Sequence, residues 1–214
     1  MNPLSNLIKD SKSNKNRSSP RQTNDCGWIE KKLNRAELDF IWYCVNNRTN
    51  DNDIQYRLAG NISESYQIED TQNIFWNSVI HPLIKDYEQV FLQKSEGKLR
   101  LQTMWVNYQR QNEFNPLHTH TGFYSFVIWL KIPTRYEDQK KLPHANPSNT
   151  KSISNFVFTY TDILGTIRQH VYKMNPELEG TMVLFPSLLN HQVYPFYNCE
   201  ETRISVSGNV NYCQ

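Results

Sequence analysis

His118, Thr119 and His120, followed far downstream by His191 and then by Arg203, Ile204 and Ser205, combine the residue types of a metal site with those of an acid-binding site. Neutral imidazole suits iron, zinc, copper and nickel, and three protein ligands leave coordination positions open to substrate or oxygen. On an extended segment residues i and i+2 share a face, so His118 and His120 can turn two nitrogens toward one point. The third must come from elsewhere. His191 stands between the apolar run Met182-Val183-Leu184-Phe185 and the β-rich run Gln192-Val193-Tyr194, where one strand hands over to the next. From Thr202 to Val210 the chain alternates, with Arg203, Ser205, Ser207 and Asn209 on one strand face and Ile204, Val206 and Gly208 on the other. On an exposed edge that polar face is ordinary. Turned inward, it offers a planar guanidinium fork and a hydroxyl to one carboxylate.

These segments resemble the 2-oxoglutarate and Fe(II)-dependent oxygenases, in their prolyl-hydroxylase-like branch. The resemblance covers roughly residues 99–211 and is carried by Gly180-Thr181-Met182-Val183-Leu184-Phe185-Pro186-Ser187, by His191-Gln192-Val193-Tyr194-Pro195 and by Arg203-Ile204-Ser205. It implies a double-stranded β-helix, a jelly-roll or cupin-like barrel in a mainly β (α+β) chain. It also implies Fe(II), 2-oxoglutarate and O2, with ascorbate as a candidate reductant. The reaction would be hydroxylation coupled to decarboxylation of 2-oxoglutarate to succinate. His118 and His191 match metal ligands, and Arg203 and Ser205 match the anchors of the distal carboxylate. Tyr108 resembles the family's co-substrate tyrosine; Asn107 competes with it, because adjacent strand residues face opposite ways. Trp129, sharing a strand face with Ser125 and Val127, stands where the family often has another tyrosine.

One position departs from the pattern. His120 occupies the place of an Asp or Glu ligand, so the catalytic metal set becomes His118, His120 and His191, one unit more positive than two histidines and a carboxylate. Glu113 and Asp162 are spare carboxylates without ligand-like spacing. A three-histidine cupin-type dioxygenase needing no keto acid, or an inactive jelly-roll binding module, therefore stands beside the oxygenase reading. The substrate expected is a peptidyl residue or free amino acid, and Trp105, Trp129, Phe123 and Tyr124 read either as an aromatic entrance for it or, as readily, as packing near the barrel mouth.

Elements must position these groups. Asn34 with Glu37 forms a capping box, and Leu38, Ile41, Trp42 and Val45 continue as a helical stripe. A second helix is predicted from Asp70 or Thr71 to about Leu92, carrying Phe75, Val79, Leu83, Tyr87 and Phe91, with Pro82 kinking or restarting it. Strands are predicted at 99–109, 124–132, 155–162, 166–173, 181–185, 192–196 and 202–210. The polar loop from Thr134 to Ser154 reads as a substrate-facing flap. The domain plan is a flexible basic tail over 1–25 and a single domain over 26–214, with helical support over 26–97 and a jelly-roll core over 98–211.

Composition agrees with that plan. The chain has 214 residues, a formal net charge of +2 and 13% aromatics, enough for one domain with a sizeable core. The charge argues against a dedicated nucleic-acid surface, although the basic tail, with Lys9, Lys12, Lys15, Arg17 and Arg21, leaves an electrostatic tether open. Cys26, Cys44, Cys199 and Cys213 lack C-x-x-C spacing and read as reduced thiols. With no signal peptide and no apolar run of membrane length, a cytoplasmic protein is expected.

Overall fold

The computed structural model describes residues 19–22, 27–48, 53–55, 58–92, 95–149 and 152–213. Its strands are β1 (Ser19–Gln22), β2 (Gly27–Lys32), β3 (Ser65–Gln67), β4 (Leu99–Gln109), β5 (Asn115–His118), β6 (Tyr124–Lys131), β7 (Phe156–Thr161), β8 (Ile167–Tyr172), β9 (Thr181–Pro186), β10 (Asn190–Val193) and β11 (Arg203–Tyr212). The α-helices are α1 (Arg35–Asn46), α2 (His81–Phe91) and the short α3 (Tyr136–Gln139). A major sheet runs β1-β2-β9-β6-β11-β4-β3 and a minor sheet β5-β10-β7-β8. Every pairing is antiparallel. Two facing sheets built from strands distant in sequence make the jelly roll, a double-stranded β-helix.

Strand β6 is buried on both faces, which explains why it reads as a nearly continuous apolar run. Its even-numbered side chains Tyr124, Phe126, Ile128 and Leu130 point outward to the helices, as do Met104 and Val106 of β4 and Val206 and Val210 of β11. Odd-numbered Val127 and Trp129 point inward, with Val183 and Phe185 of β9, to meet Trp28, Phe156, Phe158 and Tyr172. Gly208 is required where Phe126 crosses β11, since a Cβ there would lie 2.5 Å from its ring.

The helices cover the outer face. In α1, Asn34 Oδ1 accepts from Glu37 N and Glu37 Oε2 accepts from Asn34 N, both at 2.8 Å, completing the capping box. Its buried stripe is Ala36, Phe40, Ile41, Cys44 and Val45. Leu38 and Trp42 are half-buried at its margin, so the apolar stripe is turned from the expected one. The second helix departs more. Gln72 and Asn73 have φ of 61° and 54°, and the Asp70 carboxylate instead caps the amides of Phe75 and Trp76 at 2.8 and 2.7 Å. A π-helical stretch, Trp76–Ile80, precedes Pro82 near the start of α2. The wider turn accommodates a residue that can supply no N–H.

Four strands were not anticipated. Ser19–Gln22, placed by composition in the flexible tail, pairs with β2; residues 1–18 and 23–26, Cys26 included, lie outside the described residues. Strands β2, β3 and β5 are short, and Pro116 in β5 is tolerated because β5 is a sheet edge. In β10 the ladder ends at Val193, two residues before Pro195 and three before the predicted end. Tyr194 N turns to Asn155 O at 2.8 Å. Cys44, Cys199 and Cys213 are free thiols. Among the described residues no helix is long and apolar enough to cross a membrane.

Candidate active site

The edge strand β5 pairs with β10 so that His118 lies directly opposite His191. Beyond β5 the chain turns, and His120 N donates to Ser187 O at 2.9 Å, which fixes the backbone that carries the next imidazole. The ring centroids of His118 and His191 are 4.2 Å apart, and each lies 4.9 Å from that of His120. One nitrogen from each ring lies within 4.8 Å of the other two.

Two of the tautomers are set by the backbone. His118 Nδ1 lies 2.7 Å from Pro116 O and His191 Nδ1 lies 2.9 Å from Leu189 O. A carbonyl can only accept, so Nδ1 carries the proton and Nε2 keeps its lone pair toward the cluster. His120 Nε2 and His191 Nε2 are 3.1 Å apart, a separation suited to two adjacent ligands of one ion at bond lengths of about 2.1 Å. Burial pulls the pKa of all three histidines down, and like-charge neighbours add to this at His120, which falls to about 4, and at His191. The imidazoles are therefore neutral near pH 7, the form that binds a metal.

Arg203 opens β11 and is 3% exposed. Its Nη2 donates to Ser154 Oγ at 2.7 Å and Ser154 O at 3.0 Å, its Nη1 to Gln109 Oε1 at 3.3 Å, and its guanidinium lies over the Phe196 ring at 4.9 Å. All these partners are neutral. Nε is buried with no partner among the described residues, and burial alone lowers the pKa to about 9. A cation out of water without a counter-charge calls for an anionic ligand.

Both features face one cavity of about 380 Å³. The inward face of β11 lines it with Arg203, Ser205, Ser207 and Asn209, beside Trp105 and Asn107 of β4 and Trp129 of β6. Asn107 Oδ1 accepts from Ser65 Oγ at 2.8 Å, which orients its amide. Tyr108 is a correction: it lies on the opposite face of β4, packed against the outer core with Arg48 4.9 Å over its ring. Strand alternation admits Asn107 or Tyr108 to the cavity, not both, and the paired strands select Asn107.

Further expectations change. Phe123 and Tyr124 pack outward on Tyr212 and Tyr87, so only Trp105 and Trp129 of the supposed aromatic entrance line the cavity. Glu113 caps a turn through Ser63 N and Arg110 N, while Asp162 caps the β7–β8 turn and pairs with Arg168. Among the described residues, none of the 134–154 loop lines the cavity. The loop is held from outside, where Gln139 and Tyr197 exchange two hydrogen bonds, and its last residue grips Arg203. The roof comes instead from Ile54, Leu58, Ala59, Gly60 and Ile62, which carry no sequence signal of a site. Gln109 and Ser154 were also missed; Gln109 shares its strand parity with Asn107, the one cue available.

The family described as "Putative 2OG-Fe(II) oxygenase" matches residues 103–209, half of the chain and a span that includes His118, His120, His191, Arg203 and Ser205. No curated protein matches at the level of sequence. Among solved structures, a Pseudomonas putida prolyl-4-hydroxylase superposes with a TM-score of 0.54 at 13% identity, over 99% of this chain and 100% of that one. A 2OG-Fe(II) oxygenase family oxidoreductase from Burkholderia pseudomallei gives 0.53 at 11% identity, over 97% and 89%. The viral collagen prolyl hydroxylase of Paramecium Bursaria Chlorella virus-1 gives 0.51 at 12%, over 87% and 96%. At such identities the structural likeness speaks for the barrel, and the matched segment speaks for the chemistry: the chain belongs to the 2-oxoglutarate and Fe(II)-dependent oxygenases.

Proposed function

We propose that this enzyme hydroxylates an uncharged residue of a peptide, with 2-oxoglutarate decarboxylated to succinate, at a three-histidine iron site. The observation that carries the reading is the pairing, within one cavity, of three converging neutral imidazoles with a buried guanidinium that has no acidic partner among the described residues. His118, His120 and His191 would hold the metal, and Arg203 with Ser205 would hold the distal carboxylate of the keto acid. When bound, iron and 2-oxoglutarate supply the oxidising chemistry.

The chain's own contribution is placement. Pro116 O and Leu189 O keep two imidazoles in the ligating tautomer. Arg203 fixes one end of the co-substrate, and Asn107, Ser205 and Ser207 offer neutral hydrogen-bonding groups along the cavity wall. Such positioning turns an encounter of several reactants into an ordered one. Trp105, its ring 5.7 Å from that of His120, shields that imidazole. The peptide preference draws support from the prolyl hydroxylases among the structural neighbours and from amide and hydroxyl groups beyond the histidines, including Gln67, Gln102, Thr103 and Asn209.

The test is anaerobic titration of Fe(II)-loaded protein with 2-oxoglutarate. A visible charge-transfer band that vanishes in His191→Ala supports the reading. Bound iron without a band favours a three-histidine dioxygenase that uses no keto acid, a reading kept open by His120 in the place of a carboxylate.

A further inference from the structure

We propose that Ser154 is the positioning residue of the co-substrate anchor, holding the Arg203 guanidinium in its ligand-ready orientation before 2-oxoglutarate arrives. The inference rests on the functional reading above and adds to it the duty of the 134–154 loop.

Ser154 is fully buried and has φ of 65°, a left-handed conformation that costs any residue with a Cβ. In that conformation its carbonyl and hydroxyl oxygens both face Arg203 Nη2, at 3.0 and 2.7 Å. Its own amide donates to Pro195 O at 2.9 Å. The next residue, Asn155, is also fully buried; it accepts from Tyr194 N through its carbonyl at 2.8 Å and from Met174 N through Oδ1 at 3.4 Å. Ser154 is thus a rigid bracket between β7 and the chain after β10. Thr134 Oγ1 lies 3.4 Å from Ser154 Oγ and braces it from the start of the loop.

The bracket is neutral, and that is its significance. An Asp or Glu here would hold Arg203 just as firmly but would cancel the charge that the ligand must find. Hydroxyl, carbonyl and the Gln109 amide restrain the fork while leaving its charge uncompensated and Nε unpartnered among the described residues. An arginine already restrained loses less conformational freedom when the carboxylate docks, so part of the binding cost is met during folding.

The discriminating variant is Ser154→Gly, which removes the hydroxyl yet suits the positive φ. Calorimetric titration of Zn(II)-loaded protein, without turnover, would compare 2-oxoglutarate with 2-oxovalerate, a keto acid of equal length that lacks the distal carboxylate. The expected result is roughly tenfold weaker 2-oxoglutarate binding, unchanged 2-oxovalerate binding and a melting temperature no lower than wild type. Unchanged 2-oxoglutarate affinity in the variant, or equal weakening for both acids, overturns the proposal. Wild-type protein that binds Zn(II) but not 2-oxoglutarate overturns the functional reading and takes this one with it.

Discussion

Replacing Arg203 by Met should stabilise the metal-free protein while sharply weakening its response to 2-oxoglutarate. Arg203→Met keeps much of the side-chain volume and removes a charge whose burial draws the pKa from 12.5 to about 9. That fall corresponds to a penalty on the order of 5 kcal/mol for keeping the group ionised. Against it, Ser154 O and Ser154 Oγ lose a charged donor at 3.0 and 2.7 Å, at about 1.5 kcal/mol each, and the long 3.3 Å contact to Gln109 Oε1 adds little. The balance is a gain of roughly 2 kcal/mol, or about 4–8 °C in melting temperature for a chain of this size. Scanning calorimetry at neutral pH checks it directly. Addition of 2-oxoglutarate at about a hundred times its wild-type dissociation constant should then stabilise the metal-loaded wild type by about 2.7 kcal/mol and move the variant far less. A metal-free variant that melts well below wild type would refute the reasoning, because the guanidinium would then be a structural strut and not a charge kept for a ligand.

His191→Ala removes the most buried imidazole of the cluster and should weaken Zn(II) or Fe(II) binding by more than about a hundredfold, measured by competition with a chromogenic chelator; retained affinity would dismiss the cluster as a metal site. Gly208→Ala drives a Cβ to 2.5 Å from the Phe126 ring and 2.8 Å from Thr103 O, so urea denaturation should show a loss of about 1–3 kcal/mol, and an unchanged midpoint would contradict the packing. At Glu88, burial alone would raise the carboxyl, but hydrogen bonds from Lys85 and Ser95 outweigh it and hold the pKa below its ordinary 4.5. The folded state therefore keeps the carboxylate longer than the unfolded chain does. Its stabilisation is complete above the ordinary value and is lost as pH falls through the lowered one. Melting curves of Glu88→Gln and wild type should accordingly differ near pH 6 and converge in acid; a constant gap would rule out this titration.

What could be read beforehand follows the range of each interaction. The Asn34–Glu37 capping box is local, as is the inward polar face of β11, whose parity is written in Arg203, Ser205, Ser207 and Asn209; both were legible. The choice between Asn107 and Tyr108 was not, because a strand carries two faces and only its neighbours decide which is inner. Strand β5 was hidden by Pro116 and by its length of four residues. The loop ending at Ser154 was legible as special, yet its duty was misjudged. Polar composition does not distinguish a flap over a cavity from a segment that ends in a hydrogen bond to Arg203, and that contact joins residues 49 positions apart. Ile54, Leu58, Ala59, Gly60 and Ile62 left no periodic signal, since they line the cavity from outside the named strands and helices.

The place of β11 in the major sheet carries a consequence for synthesis of the protein. The last described strand in sequence is inserted between β4 and β6, two strands made long before it. Until it arrives, both present unpaired edges and a broken outer core, the kind of surface that aggregates or engages chaperones. The same ten residues bring Arg203, Ser205, Ser207 and Asn209 to the cavity. A ribosomal product cut short before residue 203 would lack an interior strand of the major sheet and the proposed co-substrate anchors at one stroke, so on the proposed function the topology couples quality control to activity: an incomplete chain would have no means of taking up 2-oxoglutarate productively.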